Sequence, residues 1–149
     1  MGAPNYYEQM NADATSAKGL PRQFRHTDYR LLSGSDYLQL TPRLWDTEYD
    51  DKRFREGDWK FRFSVHNEDV PKAWNVFVDI VLKDQRRNPE LHMAKVIKPA
   101  LNTRFADATE GQAGKMITFY TNLNLEPDHY MKMVKTIEAR FEEEGIRPG

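Results

Sequence analysis

The period of the apolar residues changes from two to about 3.6 just beyond Val65, and this change constrains the fold more than any other feature. In Lys60-Phe61-Arg62-Phe63-Ser64-Val65, the side chains of Phe61, Phe63 and Val65 fall on one face. Lys60, Arg62, Ser64 and then His66 fall on the other, as in a strand with one buried side. Behind it, Val70, Ala73, Trp74, Phe77, Val78, Val81 and Leu82 recur at helical spacing and make one apolar stripe. Asn67 or Asp69 can cap this helix, and Pro71 is tolerated in its first turn. Arg86 and Arg87 suit its negative end, and Asn88-Pro89 breaks it. Strand and helix therefore form a βα unit that holds Lys60 and Arg62 rigidly on an open face, a candidate anion site.

Further elements follow the same logic. Ser33-Gly34-Ser35-Asp36 reads as a turn, with short strands at 37–40 and 44–49 around Pro42. Residues 91–97 read as a strand stopped by Pro99, and 115–121 as another. Residues 99–114 have little period and form a long loop carrying Arg104, a length more often functional than idle. Pro127 opens a second helix with the stripe Tyr130, Met133, Val134, Ile137 and Phe141, and Gly145 ends it. Trp45, Trp59 and Trp74 are spaced for core packing. The expected fold is α+β, a mainly antiparallel sheet with two principal helices packed on one face, as a single domain over residues 28–149. Residues 1–27 read as a disordered or loosely docked arm, in which Tyr6, Tyr7 and Met10 can dock as one helical turn.

Composition excludes several classes. A chain of 149 residues can bury a real core. Its formal net charge of -1 supplies no global field for nucleic acid, so any anion site must be a local concentration of Lys and Arg. No apolar run approaches the roughly 20 residues of a membrane span, and the start of the chain lacks a charged-then-apolar signal pattern. Cysteine is absent, which excludes disulfides, thiolate zinc sites and cysteine nucleophiles. His26, His66, His92 and His129 show no metal-ligand spacing, and there is no Walker loop, Gly-x-Gly-x-x-Gly or Gly-x-Ser-x-Gly. Neither a metal nor a cofactor is expected, and neither nucleic acid nor a membrane is an expected partner.

The cations and Tyr120 make the candidate site. Lys60 and Arg62 share a strand face, Lys95 can lie on a neighbouring strand, and Arg104 sits in the long loop. Lys115 opens the last long strand, and Tyr120 lies within it. Together they can line a phosphate pocket, Arg supplying a planar fork and Lys a compact point charge. The bland alternative is a solvated sheet face with ordinary surface cations. Lys95 is flanked by Ala94, Val96 and Ile97, surroundings that can turn a lysine into a base or leave it snorkelling from a strand edge. His66 either projects into the pocket or caps the strand-to-helix turn.

The order of these pieces resembles the bacterial phosphothreonine lyases, effectors that pathogens inject to inactivate host kinases. It is also similar to the lyase domains of class III and IV lanthipeptide synthetases and to related plant-pathogen effectors. The matching elements are residues 57–65, the helix at 70–82, the strand with Lys95, the loop with Arg104 and residues 114–120. The resemblance implies a phosphothreonine-lyase-like fold and a phosphorylated protein or peptide as partner, a host kinase among them. It implies metal-free β-elimination of phosphate from phosphothreonine or phosphoserine. It also implies a secreted effector acting in a host cell, or a protein of the bacterial cytoplasm. Lys95 would be the base, Lys60 would stabilise charge on the substrate, Arg104 would bind phosphate, and Tyr120 would line the pocket, while Arg62 and Lys115 stay phosphate binders on the reading of the residues themselves.

One position departs from the family. Its pattern at residues 60–62 is Lys-Phe-His, and that histidine is the general acid, whereas this chain has Arg62. Arginine cannot give up a proton at physiological pH, although it can still hold phosphate. His66, the possible substitute acid, lies about 13 Å from residue 62 at strand rise. Three readings stand: a divergent lyase acting on phospho-Ser/Thr protein, an inactive relative that binds phosphoprotein or another protein, and a small interaction module.

Overall fold

The computed structural model of the protein describes residues 6–16, 29–33, 36–42, 56–83, 91–98, 116–122 and 126–148. The alternating stretch forms β3 (Glu56–Phe63), and the apolar stripe behind it forms α2 (Val70–Lys83). Between them Asn67–Asp69 make one 3₁₀ turn, and Val65 pairs with Pro148 in an isolated bridge. The remaining strands are β1 (Tyr29–Ser33), β2 (Tyr37–Pro42), β4 (Leu91–Ile97) and β5 (Ile117–Asn122). They build one five-stranded sheet of order β1-β2-β4-β5-β3, with every pairing antiparallel. This is the α+β architecture expected from the sequence. The proposed strand at 44–49 and the loop at 99–114 lie outside the described residues.

The helices close one side of the sheet. After a 3₁₀ turn at Pro127–Tyr130, α3 (Met131–Glu143) buries Met133, Val134, Ile137 and Phe141. Gly145 then takes φ 71°, the left-handed value that lets the helix stop. Phe119 of β5 sits at the centre of the core. Its ring lies 4.9 Å from Phe61, 5.8 Å from Tyr130 and 6.1 Å from both Phe63 and Phe77. Phe63 also meets Phe141 edge-on at 5.5 Å, which ties β3 to α3.

A third helix, α1 (Tyr6–Ser16), forms within the polar leader. Tyr6, Tyr7 and Met10 are buried, and Met10 Sδ accepts from Trp74 Nε1 at 3.2 Å. Tyr7 donates its hydroxyl to the Ile97 carbonyl at 2.6 Å, and burial pushes that phenol's pKa up. Docking of these few apolar residues onto α2 holds the whole helix, which its weak apolar period alone does not predict. The expectation that all the tryptophans pack inside needs one correction. Trp74 is fully buried, but Trp59 is 52% exposed. It lies where the β3–β5 register slips between Glu56 and Lys60. Trp45 lies outside the described residues.

Candidate functional site

The face of the sheet away from the helices carries the candidate residues. Successive strand residues point to opposite sides, so burying Phe61, Phe63, Ala94, Val96, Ile117 and Phe119 sends their neighbours the other way. Register then decides which neighbours meet. Arg62 lies opposite Thr118, Thr118 opposite Lys95, and Lys95 opposite Gln39, a row across β3, β5, β4 and β2. In the adjacent row Lys60 lies opposite Tyr120, and Tyr120 opposite Met93. Tyr37 lies one pleat from Gln39, diagonal to Lys95.

Side-chain positions bring these rows together. Lys60 Nζ lies 5.9 Å from the Tyr120 ring centroid, and Lys95 Nζ lies 5.6 Å from the same ring. Lys95 Nζ also lies 4.5 Å from the Tyr37 ring, so its ammonium sits between two aromatic faces. Thr118 is buried between Arg62 and Lys95 and forms part of the floor. Tyr37 has a raised pKa. Burial is the main cause, the charges of Asp36 and Tyr120 add to it, and the Arg62 guanidinium opposes it. Among the described residues, Lys60, Arg62 and Lys95 make no ion pair, whereas Arg140 and Arg147 do. Cations that share one face and pair with no carboxylate among the described residues favour an anion there.

The other predicted residues fall elsewhere. Arg104 and Lys115 lie outside the described residues. His66 sits at the strand-to-helix turn, where its Nδ1 accepts from the Glu68 backbone N–H at 3.2 Å. Its own N–H donates to the Arg147 carbonyl at 2.9 Å. Arg147 is engaged: its Nε donates to Asp69 Oδ2 at 2.9 Å, and Nη2 reaches Asp69 Oδ1 at 3.2 Å and Glu68 Oε2 at 3.3 Å. The Arg147 hydrogen bonds hold the Asp69 carboxyl at about 2. Arg62 also borders a cleft of about 390 Å³ beside α3, but Glu138 and Glu142 line that cleft and disfavour phosphate there. Among the described residues no group of His, Asp and Glu is placed to hold a metal ion, and no helix is long and apolar enough to cross a membrane.

Sequence reasoning missed Tyr37. Alternation in Tyr37-Leu38-Gln39-Leu40 already sent Tyr37 away from the core side, since Leu38 and Leu40 are buried. What the sequence lacked was the pairing of β2 with β4, which sets that ring beside Lys95.

No family model matches the chain, and no curated protein matches it in sequence. Solved structures do match. The type III effector and phosphothreonine lyase OspF from Shigella flexneri superposes with a TM-score of 0.59 at 15% identity, over 94% of this chain and 67% of that one. A mutant form of the Salmonella plasmid virulence C protein, SpvC, gives a TM-score of 0.64 at 14% identity, over 100% of this chain and 66% of that one. The phosphothreonine lyase SpvC, an effector protein from Salmonella, gives 0.60 at 13% identity, over 97% and 81%. This chain therefore spans about two thirds of the first two structures. At this level of identity the likeness speaks for the backbone, and its conclusion is that the chain has the fold of the phosphothreonine lyase effectors.

Proposed function

We propose that the open face of the sheet binds a phosphorylated serine or threonine in a protein substrate and eliminates its phosphate. The observation that carries this reading is the convergence of Lys60 and Lys95 on the Tyr120 ring, at 5.9 and 5.6 Å, in a phosphothreonine-lyase fold. In this reading Lys95, once its ammonium has given up a proton, takes the Cα proton, and the freed electron pair forms the Cα=Cβ bond. The Cβ–O bond breaks, and its electrons leave with the phosphate. Lys60 meets the negative charge that develops on the substrate carbonyl as the proton leaves. Arg62 holds the phosphate, and Arg104 and Lys115 complete that cationic set. The product is a dehydroamino acid, so no water is consumed. The biological setting proposed with it is that of a bacterial effector acting on host phosphoproteins, as OspF is a type III effector.

Incubation with a phosphothreonine peptide should remove the mass of phosphoric acid and leave dehydrobutyrine, read by mass spectrometry. A peptide that stays intact through long incubation at high protein concentration rules out the elimination.

One residue favours a second reading. Arg62 stands where the resembling lyases have their acid histidine, and it retains the capacity to hold phosphate. On this reading the face binds phosphoprotein without turnover. Phosphate-dependent binding that falls in Arg62→Ala, with the bound peptide recovered unchanged, is its signature.

A further inference from the structure

We propose that the Tyr37 hydroxyl donates the proton that the departing phosphate requires, the task left open by Arg62. The inference rests on the lyase reading above. A phosphate ester cleaved at its Cβ–O bond would leave as the fully ionised phosphate, a stronger base than a phenolate, so proton transfer from a tyrosine runs downhill. The Cα proton and the leaving oxygen are bonded directly to the two carbons that become the double bond, three bonds from each other. Base and acid must therefore be near neighbours.

On the open face Lys95 Nζ lies 4.5 Å from the Tyr37 ring. Tyr120 is the other phenol among the described residues of this face, but it stands directly opposite Lys60 and lies near both lysine nitrogens. It suits the pocket floor. Tyr37 lies beyond Lys95, diagonal to it across the β2–β4 pair. Arginine cannot supply the proton. His66 is some 13 Å along the strand direction from residue 62, and its Nδ1 is occupied by the cap on Glu68.

The surroundings of Tyr37 keep the donor loaded. Burial, Asp36 and Tyr120 all raise its pKa, so the hydroxyl carries its proton at neutral pH. The charges then balance through the cycle. Lys95 gains the Cα proton and becomes an ammonium as Tyr37 gives its proton to the leaving oxygen. The new phenolate belongs to the ring over which Lys95 Nζ lies, and the Arg62 guanidinium favours its ionised form. Passage of the proton from Lys95 to Tyr37, directly or through one water, restores both groups for the next turnover.

Tyr37→Phe keeps the ring beside Lys95 and removes only the hydroxyl. With a phosphothreonine peptide, kcat should fall about a hundredfold or more while peptide affinity and thermal stability stay at wild-type values. Tyr120→Phe, tested alongside, should lose far less. A Tyr37→Phe protein that eliminates at the wild-type rate overturns the assignment and leaves the lyase reading standing. Loss of peptide affinity in Tyr37→Phe, without a fall in kcat, also overturns it, by making Tyr37 a binding residue. A wild-type protein that leaves the peptide intact overturns the lyase reading, and the Tyr37 role with it.

Discussion

Lys60 and Tyr120 face each other directly across the β3–β5 pair, and the Lys60 ammonium lies 5.9 Å from the Tyr120 ring centroid. Lys95 reaches the same ring from β4. The two lysines thus approach one aromatic platform from opposite sides, yet the proposed chemistry gives them different tasks. Lys95→Ala should lower elimination by about 10²- to 10⁴-fold, the usual cost of losing a general base. Lys60→Ala should weaken phosphopeptide affinity roughly tenfold as well as slowing turnover, because it removes charge-assisted hydrogen bonding. Single-turnover kinetics with mass-spectrometric readout, beside a binding titration, separates the two effects.

Arg62 is exposed at the end of the row that runs through Thr118 to Lys95. Arg62→Ala should reduce affinity for a phosphothreonine peptide roughly tenfold and leave the weak affinity for its unphosphorylated form unchanged. Arg62→Lys should recover part of the loss, since it restores charge without the planar fork. Raising the ionic strength toward 1 M, where the Debye length shrinks to about 3 Å, should erase much of the difference between these variants. Isothermal titration at two salt concentrations checks both statements.

The Arg147–Asp69 pair ties the end of the described chain to the start of α2. Its charged form is favoured in the folded protein, where Asp69 has a pKa of about 2 against an ordinary 3.8. A carboxyl depressed on folding contributes stability above its unfolded pKa and loses that contribution as pH falls through the folded value. Stability should therefore fall between about pH 4 and pH 2. Asp69→Asn should remove this part of the acid dependence and cost about 1 kcal/mol at neutral pH, less than the shift alone gives because solvent screens the exposed Arg147. Urea denaturation across that pH range measures both.

Phe119 and Tyr120 are adjacent in sequence but belong to different parts of the protein. Phe119 is fully buried among Phe61, Phe63, Phe77 and Tyr130. Phe119→Ala should cost about 3–5 kcal/mol in chemical denaturation, through lost apolar burial and the cavity left behind. Tyr120→Ala should cost much less stability and act mainly on phosphopeptide binding.

The sequence by itself determined the secondary structure around the site and the side of the sheet each residue takes. Local periods suffice for that: alternation in residues 60–65 and the stripe from Val70 to Leu82 each have one way to bury their apolar side chains. Hence β3, α2, β4, β5 and α3 were legible, and so was the sharing of one face by Lys60 and Arg62. The helix from Tyr6 to Ser16 was not, because its burial depends on contacts with Trp74 and Ile97 far along the chain. Nor was the exposure of Trp59, which follows from its place beside a register slip on an edge strand. Strand order was likewise a tertiary matter. A strand's period states which face a side chain takes but not which strand lies beside it. Only the order β1-β2-β4-β5-β3 places Lys95 between Tyr37 and Tyr120 and sets Lys60 across from it. The cations of the candidate site were written in the sequence, and long-range antiparallel pairing decided that Lys60 and Lys95 meet at Tyr120.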